Sequence, residues 1–368
     1  MKLGKAISWL KGTLQRCLFP ELEEVWNTDL TDKERQLVSI LELVQIERCV
    51  VRKADNQWLG RRLLERESIG RSFVAKAVYG YPHTRGLMHA LKTTPKLRRI
   101  CGFESVADIP CESTFSRAFS EFSEIGLGDR VHDVMVQRFV KPELGGHANR
   151  DSTAIIGREK PVKKPPKEKP APKKRGRQAK GEHREPKEQT RLERQRDQSA
   201  EEALKELPIL CDRGTKKNSK GFKETWVGYK LHTDVNDWGF AMSLVLTSAS
   251  LHDSQVAIPL MKMSSGKVDY LYDVMDAAYD AKPIYEVSRE LGHVPIIDKN
   301  SRGKEIIPMA PHEAIRYNER TAAERFNGRL KDEFGGRNIM VRGPQKVRMH
   351  LMFGVLALCA DQLLKLAT

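Results

Sequence analysis

Residues 268–297 read VDYLYDVMDAAYDAKPIYEVSRELGHVPII, and their pattern decides the fold class. Val268 to Met275 has the composition of a strand, Pro283 to Leu291 the periodicity of a helix, and Val294 to Ile297 reads as a second strand. Strand and helix in alternation predict an α/β sheet. Upstream, Trp226, Val227, Tyr229 and Leu231, then Phe240, Met242, Leu244 and Leu246, predict two strands joined through Val235-Asn236-Asp237-Trp238-Gly239 as a hairpin. His252 to Met261 reads as a helix. Downstream, a long helical stretch begins near Ala314 and runs past Lys331, ahead of the apolar run Leu351 to Ala360. That run is too short to span a bilayer and predicts a core helix.

Toward the N-terminus the pattern becomes helical. Leu37, Ile40, Leu41 and Val44, and again Phe115, Ala118, Phe119 and Phe122, recur at helical spacing, so residues 1–140 predict an α domain. Within it, Lys96 to Cys101 reads as a short basic helix closed by Gly102, and Pro110 with Ser113 opens the next. The second helix carries Ser116 and Arg117 on its outer face, where a recognition helix would meet a major groove; plain helix packing explains the pair equally well.

Charge sets the partner class. The 368 residues carry 64 Lys+Arg against 49 Asp+Glu, a formal +15, which suits a polyanion and most often nucleic acid, with an acidic membrane face as the other option. Between Arg158 and Arg194 fifteen Lys/Arg face six Glu, and Pro161, Pro165, Pro166, Pro170 and Pro172 forbid a continuous helix. This basic insert, residues 158–208, is either a solvated linker or a non-specific phosphate binder. Its last part, Glu182 to Leu207, predicts a charged helix. The six cysteines contain no C-x-x-C pair, excluding a zinc module or disulfide framework and fitting a reducing cytoplasm. Lys2 and Lys5 lead through Trp9 and Leu10 to Lys11 without an apolar h-region, so no export is predicted.

Four residues could carry chemistry together. Tyr317, Arg320, Glu324 and Lys331 stand at offsets of 0, 3, 7 and 14, which on a continuous helix confines them to a stripe about 60° wide. Ala322, Phe326, Leu330 and Phe334 fall on the opposite, docking side. A solvated face explains the stripe as well as a site does. Two acidic residues sharpen the choice: Asp151 enters the apolar run Ala154-Ile155-Ile156, and Asp276 ends the strand Val268 to Met275. A strand carboxylate, if buried, needs a hydrogen-bond partner or a cation. A cap or turn role is the alternative reading of Asp276, and Gly145 to Asn149 ahead of Asp151 lacks the apolar pattern of a strand.

Tyr317-x2-Arg320-x3-Glu324-x6-Lys331 resembles the Y-R-E-K signature of DDE transposases encoded by bacterial insertion sequences of the family-four type, and Asp276-Ala-Ala-Tyr-Asp and Arg150-Asp151-Ser152-Thr153 resemble that family's second and first aspartate motifs. Gly228 to His232 and Leu246 to Ser254 are similar to its intervening strands. The resemblance implies a helical DNA-binding domain at 1–140 and a ribonuclease-H-like catalytic core at 141–157 and 209–368. It further implies that Asp151, Asp276 and Glu324 converge on two Mg²⁺ or Mn²⁺ ions that serve DNA cleavage and strand transfer. Arg320 and Lys331 would hold phosphates, Arg as a fork and Lys as a point charge, and Tyr317 would order the backbone or a displaced base. The partners implied are double-stranded DNA, as transposon ends and target, and a second copy of the chain. A DNA-binding regulator without activity, or a nuclease that never joins strands, are the alternative functions. Only 47 residues separate Asp276 from Glu324, so the core is predicted to run there without the β-rich insertion common in the family. Asp273 rivals Asp276 for the second position but, at odd separation, predicts the opposite sheet face; Asp253 reads as a helix N-terminal residue.

Overall fold

The computed structural model describes residues 30–50, 66–163, 189–217, 221–301 and 308–367. Residues 164–188 of the basic insert and the first 29 residues lie outside the described residues.

The N-terminal part is helical, with α1 (Asp32–Val44), α2 (Arg66–Val78), α3 (Thr84–Thr93), α4 (Pro95–Ile100), α5 (Glu112–Glu124) and α6 (Leu127–Met135). A capping box starts α1: Glu34 N–H donates to Thr31 Oγ1 at 3.3 Å, and Thr31 N–H donates to the Glu34 carboxylate at 2.8 Å. Helix α2 is buried from Ser68 to Val78, polar residues included, which puts it at the centre of the layer. Phe115, Phe119 and Phe122 of α5 turn inward and meet Phe73 of α2 edge to face at centroid distances of 5.8, 5.1 and 6.5 Å. The short basic helix read at 96–101 is α4, and the next helix begins at Glu112 after a 3₁₀ turn at Val106–Asp108.

Next in the chain come β1 (Gly145–Ile156), α7 (Arg191–Asp197), α8 (Ala200–Lys205), β2 (Asp212–Lys217), β3 (Lys223–Val235), β4 (Ala241–Ser248), α9 (Ser254–Ser265), β5 (Tyr270–Met275), α10 (Lys282–Glu290) and β6 (Val294–Ile297). All six strands form one sheet with the path β2-β3-β1-β5-β6, and β4 also pairs with β3. The β1–β3 and β3–β4 pairs are antiparallel, whereas β1–β5 and β5–β6 are parallel. The strand–helix–strand reading of 268–297 is thus a parallel unit, with α10 as the crossover. Gly228 of β3 lies between β1 and β2, opposite Ile156 and Asp212, at φ 151°; a Cβ there would lie 2.1 Å from Ile155 O. Only glycine fits.

Three elements differ from the sequence reading. Strand β1 starts at Gly145, because its first residues pair in parallel with β5 and His147, Ala148 and Asn149 are buried there. Its polar side chains hid the strand: His147 Nδ1 lies 2.7 Å from Asp237 Oδ1, while both side-chain amide atoms of Asn149 are buried without a hydrogen-bond partner among the described residues, so pairing with β5 and not apolar character puts these residues inside. The charged helix expected at 182–207 is two short helices where described, interrupted at Gln198, because Ser199 and Glu202 form a fresh capping box. Beyond β6 the chain forms α11 (Pro311–Tyr317), a 3₁₀ turn at Asn318–Arg320, and α12 (Thr321–Asp332), in place of one continuous helix.

The last helix, α13 (Pro344–Ala367), has 24 residues and exceeds the run Leu351 to Ala360 that announced it. By length and composition it could cross a membrane, but 72% of its most apolar stretch is buried, where α1, α2, α5 and α6 pack around it. It is a core helix, as its sequence predicted. Gly354 brings it against the end of α12: a Cβ there would stand 2.5 Å from Phe334 O.

Candidate active site

A buried ion cluster sets the register beneath the site. Arg150 of β1 is fully buried and donates to both oxygens of Asp234 on β3, at 2.7 and 2.6 Å, and to Asp273 of β5 at 3.3 Å. Asp273 also accepts from Ser288 Oγ at 2.7 Å and Tyr270 OH at 3.1 Å, and Ser264 donates to Asp234 at 2.7 Å. One guanidinium thus ties three strands together. A buried charge so fully hydrogen-bonded holds strands in one arrangement, because any slip would strand it. Neighbouring strand residues face opposite ways, so pinning Arg150 inside turns Asp151 outward. Asp273 is committed to this cluster.

On the outer side, Asp151 Oδ2 accepts from Asn327 Nδ2 at 3.1 Å, and Asp151 Oδ1 lies 3.5 Å from Arg320 Nη1. The same guanidinium donates through Nη2 to Glu324 Oε1 at 2.5 Å. Arg320 therefore bridges the first and third acidic residues, and its ring-facing side lies 6.0 Å from the Tyr317 centroid. Asp276 follows β5 and accepts from Ala278 N–H at 2.9 Å, capping a 3₁₀ turn at Ala277–Tyr279. Burial pushes the Asp151 carboxyl up to about 6, with Asp276 adding to the rise while Arg320 and Asn327 oppose it. Asp276 is raised too, chiefly by burial, and next to Asp253 and Asp298. Two aspartates thus share one electrostatic field and disfavour each other's charge.

The 3₁₀ turn alters the stripe. Three residues at about 120° each in place of about 100° rotate Tyr317 relative to α12 by roughly 60°. Arg320 and Glu324 remain one turn apart and in contact, whereas Tyr317 joins them by lying under Arg320. Lys331 lies farther along α12 and is held below its ordinary range by burial and by Lys216 and Arg337, with Asp151 opposing. Arg117 lies elsewhere, on α5, where its guanidinium donates to Thr114 Oγ1 at 3.3 Å.

Among the described residues no group of three or more His, Cys, Asp or Glu side chains stands at metal-holding spacing. The donor chemistry nevertheless fits a hard divalent cation. Asp151 and Asp276 are anionic oxygen donors whose mutual repulsion a cation would relieve, and Glu324, with its side chain 53% exposed, is free to swing once Arg320 lets go.

Residues 190–360 match the family described as Transposase DDE domain, and residues 26–121 match the one described as Transposase domain (DUF772). The chain belongs to the DDE transposases of insertion sequences. No curated protein and no solved structure matches it. The six-stranded sheet is accordingly the transposase's ribonuclease-H-like core. The DDE match contains Asp276 and Glu324 but starts after Asp151.

Asn327, a neighbour of the transposase's acidic residues, was not singled out from the sequence, and Asp253 was read only as a helix N-terminal residue. Asn327 stands one turn after Glu324 on α12, a spacing that could have flagged it. Asp253 sits at the N-cap position of α9 but makes no capping hydrogen bond; its carboxylate accepts from Lys230 Nζ at 2.8 Å. Although burial acts upward, His232 and Lys230 hold Asp253 below the usual carboxylate range. No local spacing announces that pair, which the β3–α9 packing creates.

Proposed function

We propose that this transposase cuts insertion-sequence ends and joins them to target DNA by metal-dependent phosphoryl transfer, with Asp151, Asp276 and Glu324 as its carboxylate triad and the family-four Y-R-E-K residues around them. The observation that carries the reading is Arg320, whose guanidinium spans Asp151 and Glu324 and whose ionised form Asp276 also favours. Asp151, Asp276 and Glu324 would hold two Mg²⁺ or Mn²⁺ ions. Such ions supply activation of a water or 3′-hydroxyl and stabilisation of the leaving oxygen.

The chain's own groups then position the DNA. Released from the carboxylates, Arg320 presents a planar fork to two oxygens of the reacting phosphate, and Lys331 adds a point charge farther along the strand. Tyr317 supports Arg320 from below. In this reading residues 1–140 form the DNA-binding helical domain, 141–157 and 209–368 the catalytic core, and 158–208 a basic insert that adds affinity for phosphates. Arg117, exposed on α5, belongs to the DNA-facing side of the helical domain. Pairing two ends calls for a homodimer on double-stranded DNA. The setting is the cytoplasm, at the nucleoid, and the five described cysteines are all unpaired thiols.

Strand-cleavage assays in Mg²⁺ test the triad. Asp276→Asn and Glu324→Gln are each expected to lower cleavage by at least about a hundredfold with end-DNA binding and circular dichroism retained. Near-normal cutting by either variant removes that residue from the triad. A wild-type chain that binds ends but never cuts them would instead be a regulator.

A further inference from the structure

A cleft of about 880 Å³ opens between the helical layer and the segment joining α12 to α13. Its floor is aromatic: Phe73, Phe119, Phe334 and Phe353 are buried there. Its walls are cationic. Lys76 of α2, Arg85 of α3, Arg158 just beyond β1, and Arg342 and Lys346 at the start of α13 all line it, against the single carboxylate Glu112. That carboxylate is taken by Arg85, whose Nε lies 2.9 Å from Glu112 Oε2.

The remaining cations lack anionic partners among the described residues. Arg158 reaches only the sulfur of Met340, at 3.7 Å. Lys76 is the telling one, because it is 8% exposed, lines the cleft, and has neither a hydrogen bond nor an ion pair to its ammonium among the described residues. Its stem is buried while the ammonium opens on the cleft, where partial desolvation without a partner carries a cost. Burial depresses Lys76 to about 8, and its charge helps hold the neighbouring His350 at about 4, after burial itself. The fold keeps a positive charge where no described residue neutralises it.

We propose that this cleft holds the phosphodiester backbone of the DNA strand that leads away from the catalytic face, with Lys76 on a phosphate at its floor and Arg158, Arg342 and Lys346 on its rim. The proposal rests on the phosphoryl-transfer reading above. Two elements run from one site to the other. Arg158 follows Asp151 by seven residues, a span of at most roughly 23 Å along an extended chain, and Phe334 follows Glu324 by ten, or roughly 15 Å along a helix. At about 3.4 Å per nucleotide the cleft lies some four to seven nucleotides from the reacting phosphate. Cations drawn from three separate segments suit an extended polyanion better than a single small anion, and they would set the strand's position without reading its sequence.

Binding of end DNA and random duplex to the full chain, measured over a salt series, tests this. Lys76→Met keeps the stem and removes the charge; the exposed pair Arg342→Ala and Lys346→Ala, made together, serves as a second probe that leaves the core untouched. Each variant is expected to bind both duplexes roughly tenfold more weakly, with the slope of log K against log salt reduced by about one per charge removed. An end duplex truncated about three nucleotides from the cleavage point, too short to reach the cleft, should bind wild type and variants alike. Unchanged slopes overturn the proposal, as does an equal loss on the truncated duplex. Protection of Lys76 from acetylation by inorganic phosphate as effectively as by DNA would also overturn it, in favour of a small-anion site. If Lys76→Met unfolds the chain, the exposed pair decides. Wild type with no affinity for DNA would defeat the functional reading itself, whereas wild-type binding with unaltered variants defeats only the cleft.

Discussion

Arg320 holds two carboxylates of its own chain, at 3.5 Å from Asp151 and 2.5 Å from Glu324, so any phosphate it binds must outcompete them. Asp151 bears the cost of that arrangement. Its carboxyl, pushed from 3.8 up to about 6, keeps a proton in the folded chain that the unfolded chain has already released. Stability therefore falls as pH rises between those two values, and above about 6 the whole penalty is present. Asp151→Asn carries no charge and escapes it. The variant is expected to be more stable than wild type at about pH 8 by on the order of 1–3 kcal/mol, with the gap closing toward about pH 4, while cleavage is lost. Thermal unfolding of both proteins across that range checks it. An Asn variant less stable at neutral pH would mean that the bonds to Arg320 and Asn327 outweigh the burial of the charge.

Among the elements, the crossing of α12 and α13 fixes where Glu324 and Lys331 stand relative to the sheet. Leu330 and Phe334 sit beneath this crossing, and Gly354 is the point of closest approach. In an isolated helix Gly→Ala would be favourable by about 1 kcal/mol. Here the added methyl meets the Phe334 carbonyl at 2.5 Å, backbone that cannot rotate aside. Gly354→Ala is expected to destabilise the protein by about 1–3 kcal/mol, read as a lower melting temperature, together with reduced cleavage as α12 is displaced. A raised melting temperature would show that helix propensity wins and that the crossing has slack. The 3₁₀ turn at Asn318–Arg320 belongs to the same scale, because it joins α11, packed on β5 and β6, to α12, packed on β1 and β3, while Arg320 stays beside Asp151.

At the scale of the whole molecule, two buried histidines stand where the layers join. His132 of α6 donates to Ala241 O at the start of β4, at 2.8 Å, and His350 of α13 donates to Gly335 O beyond α12, at 3.1 Å. Burial, before any other cause, depresses both from 6.5 to about 4. The unfolded chain takes up protons at these histidines near 6.5, whereas the folded chain resists until about 4, so their contribution is complete above 6.5 and lost as pH falls between those values. Each is expected to account for on the order of 1–3 kcal/mol of acid destabilisation. The melting temperature should drop from about pH 6.5 downward, and His132→Gln should flatten the drop. A wild-type profile without that drop would place the histidines outside the acid transition. Asp151 acts in the opposite direction over part of this range, so its Asn variant should show the histidine contribution more steeply.

Periodicity alone determined the α/β class, the hairpin, the helical N-terminal part and the core character of α13, because each depends on which side chains recur at spacing 2 or 3.6. The spacing of Arg320 and Glu324 was likewise local, and one helical turn brings them together whatever else the chain does. Tertiary structure decided the rest. Strand β1 was hidden because the side chains buried where it pairs with β5 include His147, Asn149 and Arg150, so its sequence carries no apolar alternation. The break at Asn318–Arg320 arises between two helices docked on different strands, β5 and β6 for α11 and β1 and β3 for α12, which periodicity reads as one. The contacts of Asn327 with Asp151 and of Lys230 with Asp253 join residues far apart in the chain, as does the cleft around Lys76. Such meetings are set by how strands and helices pack, and no spacing along the sequence contains them.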